Sequence, residues 1–413
     1  MTLDDLKTEI QKYQYIEDTN IIDVALASII ATRLSLGDPI WLVLIGASSG
    51  GKSQILRPLS LTDPKFLHRL DDLTENTLLS AMASKDGETS LLLRIGGKGI
   101  IVMSDLTVLF SKSAEARQAI LSQFRMIYDG EMTKVSGNKG KPTVWKGELG
   151  ILAGSTPSIY RHFEEVADMG ERFIYYRMKD YDAKKATKLA LGRGLYGKKL
   201  DDILGALYAG YIKETVENAK LDIPMNEVVE ERILEVASLA ERIRTPTAMD
   251  WRAEKITRVP IPAMPMRVAL QLRAVARGLA IMRGRELDEN DLNIIDWCAL
   301  SLANEEKRAC LKILCSLGEG LYMTSSSIAD RVGLDTTVIR TVLQNLAAVG
   351  VLERTGSGEG LQWRIRDEGD KAVLRRINGT QGDLGLTSRA ATGEEGDEKS
   401  EAADYALENF GKE

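Results

Sequence analysis

Ile21, Val24, Ala25, Ile29 and Ile30 recur at helical spacing, and the break at Gly37-Asp38-Pro39 closes that run, so residues 1–36 are predicted to be helical. The apolar run Trp41-Leu-Val-Leu-Ile45 follows at once and is short and unbroken, as a buried strand is. From there to about residue 180, similar short runs at Phe66–Leu70, Ile100–Met103, Gly150–Ala153 and Phe173–Met178 alternate with polar, helix-permissive stretches. That alternation predicts an α/β fold with a parallel sheet flanked by helices. Residues 181–303 show no comparable strand and are rich in Ala, Leu, Glu, Lys and Arg, which predicts a helical subdomain. Beyond it, Glu305–Leu317, Ser325–Val332 and Thr336–Val349 read as three helices, and Val351–Arg354 with Leu361–Arg366 as a hairpin around Gly-Ser-Gly-Glu-Gly. From residue 378 onward the chain has little to bury and is predicted to be disordered.

Composition adds boundaries to this picture. With 413 residues, 44% apolar and 28% charged, the chain has the make-up of a soluble protein of two to three domains. No apolar run approaches the roughly 20 residues that a bilayer demands, and the acidic start MTLDDLKTEIQKYQ lacks the features of a secretory signal, so an intracellular location without membrane contact is expected. Cys298, Cys310 and Cys315, with His68 and His162, have no zinc-site spacing and make no disulfide framework, so the cysteines read as small core residues. The net charge of −6 resides in the tail, where residues 378–413 hold nine acids and three bases. The neutral body therefore remains compatible with nucleic-acid contact through local basic patches.

Candidate chemistry begins at Gly46-Ala47-Ser48-Ser49-Gly50-Gly51-Lys52-Ser53, which fits G-x-x-x-x-G-K-[ST] between an apolar strand and a helix-capable segment. Its glycines let backbone N–H groups curl around phosphates, and the following helix adds its N-terminal dipole. Lys52 would reach the β- and γ-phosphates of ATP and Ser53 would ligate Mg²⁺. The run Gly99-Ile-Ile-Val-Met-Ser104-Asp105 supplies an acid at a strand end for the metal and the attacking water; Ser104 takes the place usually held by a first acid, leaving Asp105 the sole carboxylate there.

After Asp105 come a helix-like stretch to Asp129-Gly130 and a hairpin pattern over residues 131–147, with Lys134 on one arm and Lys139 and Lys141 at a basic tip. A basic hairpin placed just before the next core strand resembles the pre-sensor hairpin of AAA+ ATPases, most closely the minichromosome-maintenance (MCM) family of hexameric helicases. The resemblance implies an AAA+ core over residues 39–180 after N-terminal helices in 1–38, a helical lid over 181–303, and hydrolysis at subunit interfaces of a homo-oligomeric ring, hexameric in that family's manner. It implies Thr156 at the sensor-1 place, where the family has Asn, and Arg172, in Gly170-Glu171-Arg172-Phe173, as an arginine finger. Arg267, opening a helix after a Pro-rich approach, takes the sensor-2 place. The family's large N-terminal DNA-binding region has no counterpart in the 40 residues before the loop, so the chain looks most like compact helicase or initiator ATPases of phages and mobile elements, acting in the cytoplasm of a bacterial or phage-infected cell.

Residues 304–367 resemble a winged helix. Thr336, Thr337, Arg340, Thr341 and Gln344 would face duplex DNA, and Arg354, Arg364 and Arg366 on the wing would meet phosphates. The hairpin lysines would grip a single strand in the ring channel. A helicase loader without unwinding activity and a nucleotide-switched DNA-binding regulator are the alternatives.

Overall fold

The computed structural model describes residues 1–48, 50–80, 90–135, 142–162, 172–179, 182–192, 199–250, 255–258 and 261–380. The N-terminal segment forms α1 (Leu3–Tyr13) and α2 (Asn20–Arg33). Thr2 and Asp5 close a capping box on α1: the Asp5 amide donates to Thr2 Oγ1 at 3.1 Å and the Thr2 amide to Asp5 Oδ2 at 2.9 Å. Helix α2 is buried on nearly every side, which matches its largely apolar sequence.

Five strands follow: β1 (Trp41–Ile45), β2 (Leu67–Arg69), β3 (Lys98–Met103), β6 (Glu148–Ser155) and β7 (Ile174–Arg177). They form one sheet in the order β2-β3-β6-β1-β7, each neighbouring pair parallel. The α/β reading with a parallel sheet is thus what the chain adopts. Parallel pairing requires crossovers, here supplied by α3 (Lys52–Leu61), α4 (Leu91–Ile95), α5 (Thr107–Phe110), α6 (Ala114–Tyr128) and a 3₁₀ turn, η1 (Pro157–His162). All five residues of β1 are buried, as expected of a central strand covered on both faces. Trp41 turns to the face carrying α6, its ring 5.4 Å from Phe124 and 5.2 Å from Tyr128. The opposite face meets α2 and α3 so closely that a Cβ on Gly150 would lie 3.2 Å from Thr32 Oγ1, and one on Gly154 3.1 Å from Leu56 Cδ1. Strands β4 (Glu131–Lys134) and β5 (Thr143–Lys146) pair antiparallel as a separate hairpin between α6 and β6.

The region from 181 to 303 contains α7 (Ala183–Gly192), α8 (Lys199–Glu217), α9 (Glu227–Arg244), α10 (Met266–Arg283) and α11 (Glu289–Leu300). The expectation that it holds no strand is corrected by a short antiparallel ribbon, β8 (Ala248–Asp250) with β9 (Lys255–Arg258). Two three-to-four-residue arms carry too little hydrophobic pattern to be read from sequence. Helix α10 crosses α2, and Asp23 of α2 binds both Lys7 of α1 at 2.7 Å and Arg283 of α10 at 2.8 Å.

The C-terminal unit comprises α12 (Glu305–Cys315), α13 (Ser325–Val332) and α14 (Thr336–Ala348), with β11 (Leu352–Thr355), β12 (Gln362–Ile365) and the brief β10 (Met323–Thr324) in the antiparallel order β10-β12-β11. Trp363 is fully buried and its indole N–H donates to Ser325 Oγ at 2.8 Å. One more helix, α15 (Glu368–Thr380), was not expected, and it carries residues 378–380 of the segment read as disordered; the remaining tail lies outside the described residues. It buries Val373, Leu374 and Ile377 and reaches back to the helical region: Arg242 of α9 donates to Asp370 at 2.7 Å, and Arg376 donates to Asp296 of α11 at 3.1 Å. Among the described residues no helix is long and apolar enough to cross a membrane, and Cys298, Cys310 and Cys315 are buried and unpaired.

Candidate phosphate-binding site

The G-x-x-x-x-G-K-[ST] segment lies at the carboxyl end of β1, flanked by the ends of β6 and β7. Each glycine has a local reason. The Gly46 amide donates to Ser155 O at 3.1 Å, and a Cβ there would press on Met178 Sδ at 3.0 Å. A Cβ on Gly50 would meet Ala47 O at 2.8 Å, and Gly51 has φ +86°, the left-handed region that favours glycine. Gly51 is also the N-cap of α3 and offers no side chain to that helix end. The first amides of α3 therefore keep their hydrogen-bonding capacity and its positive dipole end for an anion.

Lys52 is buried and its ammonium donates to Gly46 O at 2.8 Å and Ala47 O at 2.6 Å, folding over the cradle that phosphates would enter. Burial pushes its pKa below the ordinary lysine range, while the charge of Asp105 acts the other way. Asp105 is exposed at the end of β3; its Oδ1 accepts from the Thr107 amide at 2.9 Å and Thr107 Oγ1 at 2.5 Å, so Oδ2 is left for another partner. The next amide, Leu106, donates to Gly154 O at 2.7 Å, which fixes this acid beside the end of β6. Thr156 follows β6, half-buried, its hydroxyl 2.6 Å from Ser158 Oγ. Gly46, Ala47, Ser48, Gly50, Gly51, Lys52, Ser53, Asp105 and Thr156 thus gather at the carboxyl ends of β1, β3 and β6; Ser49 lies outside the described residues. This donor set suits a Mg²⁺-nucleotide: amides and an ammonium for phosphate oxygens, with Ser53 and the Asp105 carboxylate as hard oxygen ligands.

A search against models of known protein families returns no match, and a search of curated protein sequences returns none.

Arg172 and Arg267 lie at the other end of the sheet. Arg172 precedes β7 and is buried; its Nη2 donates to both Asp129 carboxylate oxygens at 3.1 Å, and its guanidinium carbon lies 5.4 Å from the Tyr128 ring centroid. Phe173 next to it packs on Trp41, the first residue of β1. Burial lowers the Arg172 pKa, Asp129 opposes this, and the charge of Arg267 adds to the lowering. Arg267, half-buried in the first turn of α10, therefore stands near Arg172. The five residues of β1 separate these arginines from the chain's own phosphate loop by roughly 16 Å at about 3.3 Å per residue. The Asp129 partner was not read from sequence; Asp129 is the residue that ends α6.

The basic positions of the hairpin and C-terminal unit divide. Lys139 and Lys141 lie outside the described residues. The Lys134 ammonium donates to Glu75 O at 3.1 Å, and to Asn76 Oδ1 and Leu79 O at 3.0 Å each. Its three N–H bonds are thus engaged within the chain. Arg364 stays at the surface of β12 but is paired with Glu353 and lies 4.7 Å above the Tyr322 ring, so its charge is met within the chain. The pair holds the Glu353 carboxyl below its usual range, through Arg364 first and Tyr322 second. Arg354 is exposed. Arg340 and Gln344 are half-buried on α14, with Arg340 Nε and Gln344 Oε1 unpartnered, and α14 runs beside β9.

Proposed function

We propose that the chain is an ATP-hydrolysing AAA+-type DNA motor that works as a ring, in replication initiation or unwinding. The observation that carries the reading is the phosphate loop on β1, the strand set between β6 and β7, with Lys52, Asp105 and Thr156 gathered around it. The strand order β2-β3-β6-β1-β7 supports the reading, since the strand leading to Thr156 neighbours the loop strand and the strand after Arg172 lies on its other side. In the mechanism, the loop amides and Lys52 hold the β- and γ-phosphates, Ser53 and Asp105 hold Mg²⁺, and Asp105 with Thr156 orients the attacking water. A Mg²⁺ ion held by Ser53 and Asp105 would supply positive charge to offset that of the leaving group. Arg172 and Arg267 are too far from their own loop to act there, so they serve the nucleotide of a neighbouring copy, where cationic charge stabilises the transferred phosphoryl group. Arg172 must then leave Asp129 or swing with it, which makes finger engagement a step with its own cost.

The experiment is ATP turnover by the purified chain with and without single-stranded DNA, beside Lys52→Ala, Arg172→Ala and a Lys139/Lys141→Ala double variant. Turnover that needs Lys52 and Arg172, and DNA stimulation that needs the lysine pair, supports the motor. The second reading, a nucleotide-switched DNA-binding regulator, draws on the contact of α14 with β9. It expects slow turnover unaffected by DNA, and duplex binding that changes when ATP replaces ADP.

A further inference from the structure

Arg308, in the first turns of α12, is 2% exposed, and its Nε, Nη1 and Nη2 meet no hydrogen-bond partner. A buried cation without partners is among the costliest arrangements a fold can hold, so such a group calls for a reason. Its neighbour Arg177, the last residue of β7, is 8% exposed; Nη2 donates to Glu305 Oε2 at 2.9 Å, and the guanidinium is also hydrogen-bonded to Tyr160. The Trp297 indole N–H donates to Arg177 O at 2.7 Å, its ring 5.7 Å from the Arg308 guanidinium carbon, and the Tyr160 hydroxyl donates to Ser301 O at 2.7 Å. The ionisable groups facing Arg308 are Tyr160, Arg177, Glu305 and Glu306. Burial brings the Arg308 pKa down to about 10; Tyr160 and the two glutamates hold it up, and Arg177 lowers it further.

We propose that Arg308 and Arg177 form a second oxyanion site, fitted to a small tetrahedral anion of the phosphate class. The three unpartnered donor nitrogens of Arg308, with the Arg177 guanidinium as a second planar fork nearby, match an ion that presents several acceptor oxygens, and a halide presents none. The site lies beside the phosphate loop and shares no residue with it. Arg177 pairs in register with Ile45, the residue before the loop, and Tyr160 belongs to the turn after Thr156. Occupancy would join the end of the sheet to the first helix of the C-terminal unit, and the assignment stands whether or not the loop hydrolyses ATP.

The test is thermal unfolding of the full chain in inorganic phosphate against chloride at matched ionic strength, in the wild type and in Lys52→Ala, which removes anion binding at the loop. A saturable upward shift of about 2–3 °C is expected in both, by the linkage of binding to stability. Arg308→Met should abolish it. Glu305→Gln, which removes the carboxylate paired with Arg177, should lower the half-saturating phosphate concentration about threefold or more; this variant keeps the test alive if Arg308→Met does not fold. A shift that vanishes in Lys52→Ala, that persists in Arg308→Met, that Glu305→Gln weakens, or that chloride reproduces overturns the assignment.

Discussion

The crossing of α2 and α10 is tight enough to test with a single methyl group. A Cβ on Gly278 would lie 2.4 Å from Ala27 O and 3.0 Å from both the Ala27 carbonyl carbon and Cα, all backbone atoms of the facing helix. Restoring ordinary contact demands that the helices part by roughly 1 Å, and both are buried along this seam, so the strain has no soft outlet. Overpacking of this kind costs about 1–3 kcal/mol, against which alanine returns up to about 1 kcal/mol of helix propensity over glycine. Gly278→Ala should therefore destabilise by about 1–2 kcal/mol. Gly210 on α8 is the control, since its Cβ would meet nothing within 4 Å and the residue is exposed. Gly210→Ala should stabilise by about 0.5–1 kcal/mol from propensity alone. Urea unfolding followed by circular dichroism reads both as midpoint shifts of opposite sign at constant slope. If Gly278→Ala matches or exceeds the wild-type midpoint while Gly210→Ala rises as expected, the close approach of α2 and α10 is wrong.

Burial lowers the Lys307 ammonium to about 8, below its ordinary 10.5. The unfolded chain thus binds more protons between those values, so the cost of burying this charge is present in full below pH 8 and is relieved as pH rises toward 10.5; the stability of wild type relative to Lys307→Met should increase across that window in paired denaturation curves. Asp296 is wholly buried and accepts from Arg232 at 2.8 Å and Arg376 at 3.1 Å, so Asp296→Ala, which removes the buried carboxylate both cations share while Glu289 stays with Arg232 and Glu235 with Arg376, should cost about 3 kcal/mol in the same assay. Burial raises the pKa of all three thiols, that of Cys310 to about 12. Ellman's reagent should accordingly leave them unmodified in the native protein and count all three in denaturant; rapid native labelling of any one would contradict the packing around it.

The five sheet strands were legible because parallel strands covered on both faces are written as short unbroken apolar runs, and Trp41–Ile45 is the clearest of them. The loop was legible because its chemistry is compressed into eight consecutive residues. What escaped depended on partners distant in sequence. Nothing near Lys134 announces that Glu75, Asn76 and Leu79 will hold its ammonium, and nothing near Arg364 says that Glu353 meets it across a hairpin rather than a phosphate. Arg308 reads as one more solvated base on an amphipathic helix, and only the docking of α12 against Tyr160 and Trp297 buries it. Helix α15 was missed because its apolar trio Val373, Leu374 and Ile377 adjoins a Gly- and Glu-rich stretch whose composition dominated the reading.

The ion pairs that α15 makes with α9 and α11 have a mechanical meaning. Because Arg242–Asp370 and Arg376–Asp296 bridge the two regions at buried or half-buried sites, prising them apart would expose unmatched charge. The C-terminal unit is then bolted to the helices that precede it, like an arm to a crank. A few degrees of rotation of those helices about the sheet would sweep the tip between β11 and β12 through a displacement that grows with the arm's length, so a small shift of the helices would arrive amplified at that tip.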